Sequence, residues 1–217
     1  GFPLSLVDEI SSFGIVSESI VFEDLDFDGL PEIIFGDDMG KLNILKSNNG
    51  NFNDLSFYNN MPISNISAFA SSVNIADIDN DGDLDIFQNG RPGDYDGQYD
   101  FILNNGGRNF IKGNLLSEFK IEGNRYKFFQ GIYTSELRDI NKDGYLDLLL
   151  HGHAMDDFEY SSGIQPSWGK ILFSDSSGNF NLNNLKYIPS VENFDLGLDF
   201  HFYDLNNDGN EEIFVLR

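Results

Sequence analysis

Short apolar runs recur along the chain between clusters of Asp, Asn, Gly and Ser. Ser19-Ile20-Val21-Phe22 and Ile33-Ile34-Phe35 flank the first cluster. Val73-Asn74-Ile75-Ala76 and Ile86-Phe87 flank the second, Leu148-Leu149-Leu150 follows the third, and Ile213-Phe214-Val215 follows the fourth. Runs of this length, rich in β-branched and aromatic residues and bounded by turn formers, predict strands. No window carries a helical period of useful length, and Leu115 to Lys120 is too short to count.

A second signal repeats out of phase with the first. It reads Ile44-Leu45-Lys46-Ser47-Asn48-Asn49-Gly50-Asn51-Phe52, then Ile102-Leu103-Asn104-Asn105-Gly106-Gly107-Arg108-Asn109-Phe110, then Ile171-Leu172-Phe173-Ser174-Asp175-Ser176-Ser177-Gly178-Asn179-Phe180. An apolar run, an Asn/Ser/Gly turn and then a Phe is hairpin chemistry, because Asn and Gly accept the positive φ angles of tight turns. One repeat is therefore strand, acidic loop, strand, connection, strand, turn, strand. The predicted fold is all-β: a β-propeller of four-stranded antiparallel blades with about four repeats, either a small ring or an arc of a larger propeller. A single domain over 1–217 is expected, with units at about 19–63, 73–116 and 133–188 and a partial one at 198–217; residues 1–18 would supply an outer strand, Phe2 to Val7, to a closing blade.

The acidic clusters align without gaps. They run Asp24 to Glu32, Asp77 to Asp85, Asp139 to Asp147 and Asp204 to Glu212. Numbered from the first Asp, positions 1, 3 and 5 carry Asp24, Asp26 and Asp28; Asp77, Asp79 and Asp81; Asp139, Asn141 and Asp143; and Asp204, Asn206 and Asp208. Position 6 is Gly in all four, which permits the sharp turn that wraps a chain around an ion. Position 7 (Leu30, Asp83, Tyr145, Asn210) offers a backbone carbonyl, and position 9 is Glu32, Asp85, Asp147 or Glu212. Hard oxygen ligands on a flexible loop suit Ca²⁺ better than Mg²⁺, which demands a tight octahedron. An EF-hand needs a Glu at position 12, where this chain has Phe35, Gln88, Leu150 and Val215.

Charge adds weight to this expectation. The net charge is −23, with Asp+Glu 36 against Lys+Arg 13. Such a surface repels nucleic acid and anionic membranes. Disorder does not account for the acidity, since 14% of the residues are aromatic. Positions 1, 3, 5 and 9 hold four, four, three and three carboxylates in the successive loops. Like charges within ~4 Å repel by about 1 kcal/mol per pair even in water. Up to four Ca²⁺ would take −23 to −15. Without cysteine the chain has neither disulfides nor thiolate metal sites, and no apolar run approaches the roughly 18 residues of a membrane span.

The pattern D-x-D/N-x-D-G-x-x-D/E between strands, followed by an N-N-G-x-F turn, resembles the FG-GAP/VCBS repeats of integrin α-subunit propellers and of many bacterial secreted proteins and lectins. The resemblance spans nearly the whole chain. It implies a blade-type propeller, calcium ligands at loop positions 1, 3, 5, 7 and 9, and an extracellular or cell-surface setting. Propellers of this family most often have seven blades, against about four here.

In a blade, loops joining strands 1 and 2 open on one face, and loops joining strands 2 and 3 open on the other. Calcium is thus expected to staple one face and leave the opposite one to a partner. The 2–3 connection is short at Gly36 to Lys41, longer at Asn89 to Tyr99, and longest from His151 to Trp168. Long loops on a rigid scaffold often carry function. Arg91, Asp94, Tyr95, Tyr99, His151, His153, Asp156 and Trp168 are the expected ligand-binding residues, their rings stacking on a sugar or peptide and their polar groups orienting it. The expected function is a calcium-stabilised binding or adhesion module for a glycan or protein. The alternatives are a propeller-type polysaccharide lyase or hydrolase, and a structural subunit of a surface or virion assembly meeting neighbours through its sheet edges. No nucleophile motif or acid–base pair marks a catalytic site.

Overall fold

The strands form where apolar and polar residues alternate between the acidic loops and the Asn/Gly turns. The structure is a computed structural model that describes residues 20–36, 41–48, 51–57, 70–90, 99–106, 109–113, 115, 132–152, 169–188, 199–209 and 211–216. No helix occurs among them. β1 (Ile20–Glu23), β2 (Glu32–Gly36), β3 (Leu42–Asn48) and β4 (Asn51–Phe57) form the first sheet in that order. β5 (Ala70–Ala76), β6 (Asp85–Gly90), β7 (Tyr99–Asn104) and β8 (Phe110–Gly113) form the second. β9 (Ile132–Arg138), β10 (Asp147–Gly152), β11 (Gly169–Ser174) and β12 (Phe180–Ile188) form the third. β13 (Asp199–Tyr203) and β14 (Glu212–Leu216) pair as a fourth. Every pairing is antiparallel and joins strands adjacent in sequence.

The second strand of each full sheet shows how the sheets stack. Successive side chains of a strand point to opposite faces, so a strand buried on both faces is covered by a layer on either side. In β6, Ile86 packs with Leu25, Ile34, Ile44 and Val73 of the first-to-second sheet core. Its neighbour Phe87 packs instead with Ile78, Phe101, Leu148, Leu150 and Phe180 between the second and third sheets. In β10 the same switch recurs: Leu148 and Leu150 face the second sheet, while Leu149 faces Phe202 and Ile213 of the fourth. The sheets therefore follow one another face to face in chain order, as blades do. Each buried Phe, Ile or Leu contributes roughly 1.5–3 kcal/mol.

Polar contacts tie the first strands together. Asn74 Nδ2 on β5 donates to Ser135 Oγ on β9 at 2.7 Å, and Ser135 Oγ donates to Asn89 Oδ1 on β6 at 2.7 Å. Between the third and fourth sheets, Arg138 pairs with Glu211 through Nη2 at 2.5 Å and lies over the Phe202 ring at 4.8 Å. The outer strand expected from Phe2 to Val7 lies outside the described residues.

Three expected loop residues are strand residues instead. Asn89 and Tyr99 pair with each other across β6 and β7, and His151 pairs with Thr134 and Gly169 in β10. The apolar periodicity weakens there, but the backbone ladder continues.

Candidate metal centre

Each acidic loop joins the first and second strands of its sheet, and all four fold alike. The position-1 carboxylate accepts the backbone N–H of the position-6 glycine: Gly29 to Asp24 at 2.8 Å, Gly82 to Asp77 at 3.1 Å, Gly144 to Asp139 at 2.9 Å and Gly209 to Asp204 at 2.8 Å. In three loops it also accepts the position-5 amide, from Asp28, Asp143 and Asp208. Position 5 accepts the position-7 amide, from Leu30, Asp83 and Tyr145. Asn210 lies outside the described residues. The glycines adopt φ of +88 to +95, where an L side chain is strained.

Position 4 is left-handed as well, which sequence reasoning did not anticipate. Phe27, Asn80, Lys142 and Asn207 have φ of 55, 61, 61 and 56. Asn tolerates this region, but a residue such as Lys pays about 1–2 kcal/mol relative to Gly. Lys142→Gly is therefore expected to raise stability by about 0.5–1 kcal/mol, after subtracting the unfolded-chain freedom that Gly adds. Urea unfolding checks this, and a loss of stability in the variant would contradict the strain assignment.

Position 9 serves the core. Its carboxylate accepts the N–H of position 2: Leu25 to Glu32 at 2.8 Å, Ile78 to Asp85 at 2.9 Å, Ile140 to Asp147 at 3.0 Å and Leu205 to Glu212 at 2.9 Å. Leu25 and Ile78, each 1% exposed, are in turn members of the cores between sheets, and Ile140 packs against the next. Leu205, in the last described sheet, is 61% exposed. Asp85 and Asp147 also accept an amide from the third strand, Asn104 at 2.8 Å and Ser174 at 3.0 Å. The first three acidic loops thus each hold a plug between their own sheet and the next.

The second loop gathers the most negative charge. Carboxylate oxygens of Asp77, Asp79 and Asp85 lie within 4.8 Å of one another. Burial, only partly offset by the Asn104 and Ile78 amides, pushes the Asp85 carboxyl up to about 6. Burial and the neighbouring Asp81 charge push Asp79 up too. Asp77 Oδ1 is buried and accepts no hydrogen bond. A buried, unpartnered carboxylate oxygen beside two further acids is costly. This donor set fits a hard divalent cation, which would both fill the empty coordination and favour the charged forms of Asp79 and Asp85.

In the third and fourth loops an amide replaces one acid. Asn141 Oδ1 accepts the Asp143 N–H at 2.9 Å, and its Nδ2 donates to Asp143 at 2.9 Å. Asn206 Oδ1 accepts the Asp208 N–H at 2.8 Å, and its Nδ2 donates to Glu212 at 3.2 Å. Burial raises the Asp147 carboxyl above the ordinary range.

The first loop differs. Oxygens of Asp24, Asp26 and Asp28 again converge within 4.8 Å, but a cation from β3 enters. Lys46 Nζ lies 2.5 Å from Asp26 Oδ2, 2.5 Å from Asp28 Oδ2 and 3.4 Å from Glu32 Oε1. Burial opposes the ammonium charge, but the Asp26 and Asp28 hydrogen bonds outweigh it and hold Lys46 above the usual lysine value. Burial likewise raises Glu32. Lys46 was legible only as a charge interrupting an apolar run.

Of the expected ligand-binding residues, His151 is buried at 2% exposure, its Nδ1 3.4 Å from Thr134 Oγ1. Tyr99 lies in β7. Arg91, Asp94, Tyr95, His153, Asp156 and Trp168 lie outside the described residues.

Residues 24–87 match the family model of the FG-GAP-like repeat. That stretch runs from the first residue of one acidic loop through the next. The chain carries an FG-GAP-like repeat over this stretch. Among solved structures, the chain is similar to an Agrocybe aegerita lectin described as specifically recognising non-reducing terminal N-acetylglucosamine. The TM-score is 0.54 at 18% identity, over 89% of this chain and 45% of the lectin. That likeness supports an all-β, β-propeller-like fold, and this chain spans less than half the length of the matched structure. No curated protein matches the chain.

Proposed function

We propose that this FG-GAP-like protein is an extracellular, calcium-stabilised binding module of β-propeller type that recognises a glycan. The observation that carries the calcium reading is the second loop: three converging carboxylates, one with a buried oxygen that accepts no hydrogen bond. Asp77, Asp79, Asp81 and Asp85 would hold the ion there, with the Asp83 carbonyl. Asp139, Asn141, Asp143 and Asp147 would do so in the third loop, with the Tyr145 carbonyl, and Asp204, Asn206, Asp208 and Glu212 in the fourth. The ion supplies charge neutralisation and a rigid anchor for position 9; the chain's own residues do the rest by holding the inter-sheet plugs.

Glycan as the ligand class rests on likeness to a lectin fold and on the polar, aromatic composition of 91–99 and 153–168. β2 ends and β3 begins at the end of the sheet opposite the first acidic loop, as do β6 and β7, and β10 and β11, for theirs, so we place the partner on the face that calcium would not occupy. A glycan array probed with the calcium-loaded chain is expected to retain it on a defined set of terminal sugars, and Tyr95→Ala/Trp168→Ala is expected to lose that retention. A folded, calcium-loaded chain that binds no glycan would overturn the glycan reading.

A further inference from the structure

The repeat departs from itself at Lys46. β3, β7 and β11 hold the same place in their sheets, since Leu45, Ile102 and Leu172 pair with Ile33, Ile86 and Leu148, the residues directly after loop position 9. The next residue along is Lys46 in the first sheet, Leu103 in the second and Phe173 in the third. In the second and third sheets the following amides, of Asn104 and Ser174, donate to position 9. Among the described residues, no ion pair reaches the second-loop carboxylates. In the first sheet, position 9 is Glu, one methylene longer than Asp, and its Oε1 accepts no hydrogen bond but lies 3.4 Å from the ammonium.

One ammonium therefore meets the acids of positions 3, 5 and 9 together. These are side-chain positions that would coordinate an ion in the other loops. An exposed lysine beside acids is an ordinary surface pair of little consequence. This side chain is only 14% exposed, and Glu32 and Asp26 beside it are 0% and 8% exposed. A divalent ion and an ammonium cannot share so small a volume, because they repel each other and compete for the same oxygens.

We propose that Lys46 is the built-in cation of the first loop, so that this loop closes without calcium while the other three depend on it. The second half of that statement rests on the calcium reading of the loops; the first half stands on the Lys46 contacts alone. The consequence is a graded module: the N-terminal sheet keeps its Leu25 plug at calcium concentrations that empty the other loops.

The test counts ions and measures amine reactivity in parallel. Bound calcium is determined by elemental analysis after equilibrium dialysis at saturating calcium for the full chain, for Asp26→Asn/Asp28→Asn and for Lys46→Leu, the residue found at the same place in the second sheet. Acetylation of Lys46 by acetic anhydride is followed by peptide mass spectrometry, with calcium and with EDTA. The expected result is equal calcium in the wild type and Asp26→Asn/Asp28→Asn, and one ion more in Lys46→Leu. Lys46 is expected to acetylate at least tenfold more slowly in the wild type than in Asp26→Asn/Asp28→Asn, at the same rate with and without calcium. One ion fewer in Asp26→Asn/Asp28→Asn than in the wild type, or release of Lys46 by calcium, would overturn the proposal and leave the calcium reading of the other loops standing. Slow acetylation in a chain that binds no calcium at all would overturn the calcium reading and still support Lys46 as the cation of its loop. Should either variant fail to fold, the wild-type acetylation rates with and without calcium decide the matter.

Discussion

Chelation of calcium with EDTA is expected to lower the melting temperature by roughly 5–10 °C for each loop that is emptied. A site occupied at 100-fold over its dissociation constant contributes about 2.7 kcal/mol, and a chain of this size shifts by about 2–4 °C per kcal/mol. The structure supplies the route by which the ion reaches the core. Position 9 accepts the N–H of position 2 and would also meet the proposed ion, and Ile78 at position 2 is buried against Phe87 and Leu148. Without the ion, Asp85 keeps its charge only against burial, which already pushes its carboxyl up to about 6. At neutral pH the empty loop then carries unrelieved repulsion, and relaxing it loosens the plug. Scanning calorimetry in EDTA and after calcium is restored measures the effect. Magnesium should restore little of it, because these loops do not impose a tight octahedron.

Phe101→Ala is expected to cost about 3–5 kcal/mol. Phe101 is 2% exposed, lies 4.7 Å centroid to centroid from Phe87 and 5.4 Å from Phe180, and so joins β6, β7 and β12 across the second and third sheets. Its removal leaves a cavity that the flanking strands cannot collapse into, because both sheets are fixed by their own ladders. Phe101→Leu, which keeps most of the volume, should cost less than half as much. Urea unfolding at saturating calcium separates this term from metal loss. Equal costs for the two variants would mean that filled volume at this position does not carry the interface.

Much of this was legible in the sequence, for physical reasons that differ by feature. The acidic loops are local: their acids, their glycine and their flanking strands all fall within a few residues, so spacing alone reveals the loops. The four-stranded meander was legible because each strand pairs with its neighbour in sequence, as Ile34 with Ile44 and Phe87 with Phe101. The role of Lys46 was not, because it reaches Asp26 across 20 positions and depends on the register of β2 on β3. The bond from position 9 to the position-2 amide was hidden for another reason: an acid that orders a backbone amide looks identical in sequence to one expected to bind an ion. His151 read as a loop residue because His-Gly-His breaks the apolar run, whereas the β9–β10 ladder carries through it to Gly152 with a register shift.

The most direct test of calcium binding by the loops is the calcium content of the full chain beside that of Asp77→Asn/Asp79→Asn. Equilibrium dialysis followed by elemental analysis is predicted to find calcium in the wild type and one ion fewer per chain in the variant, whose melting temperature no longer responds fully to EDTA. A wild type that emerges from saturating calcium with none bound, or a variant that retains as much as the wild type, would contradict the account.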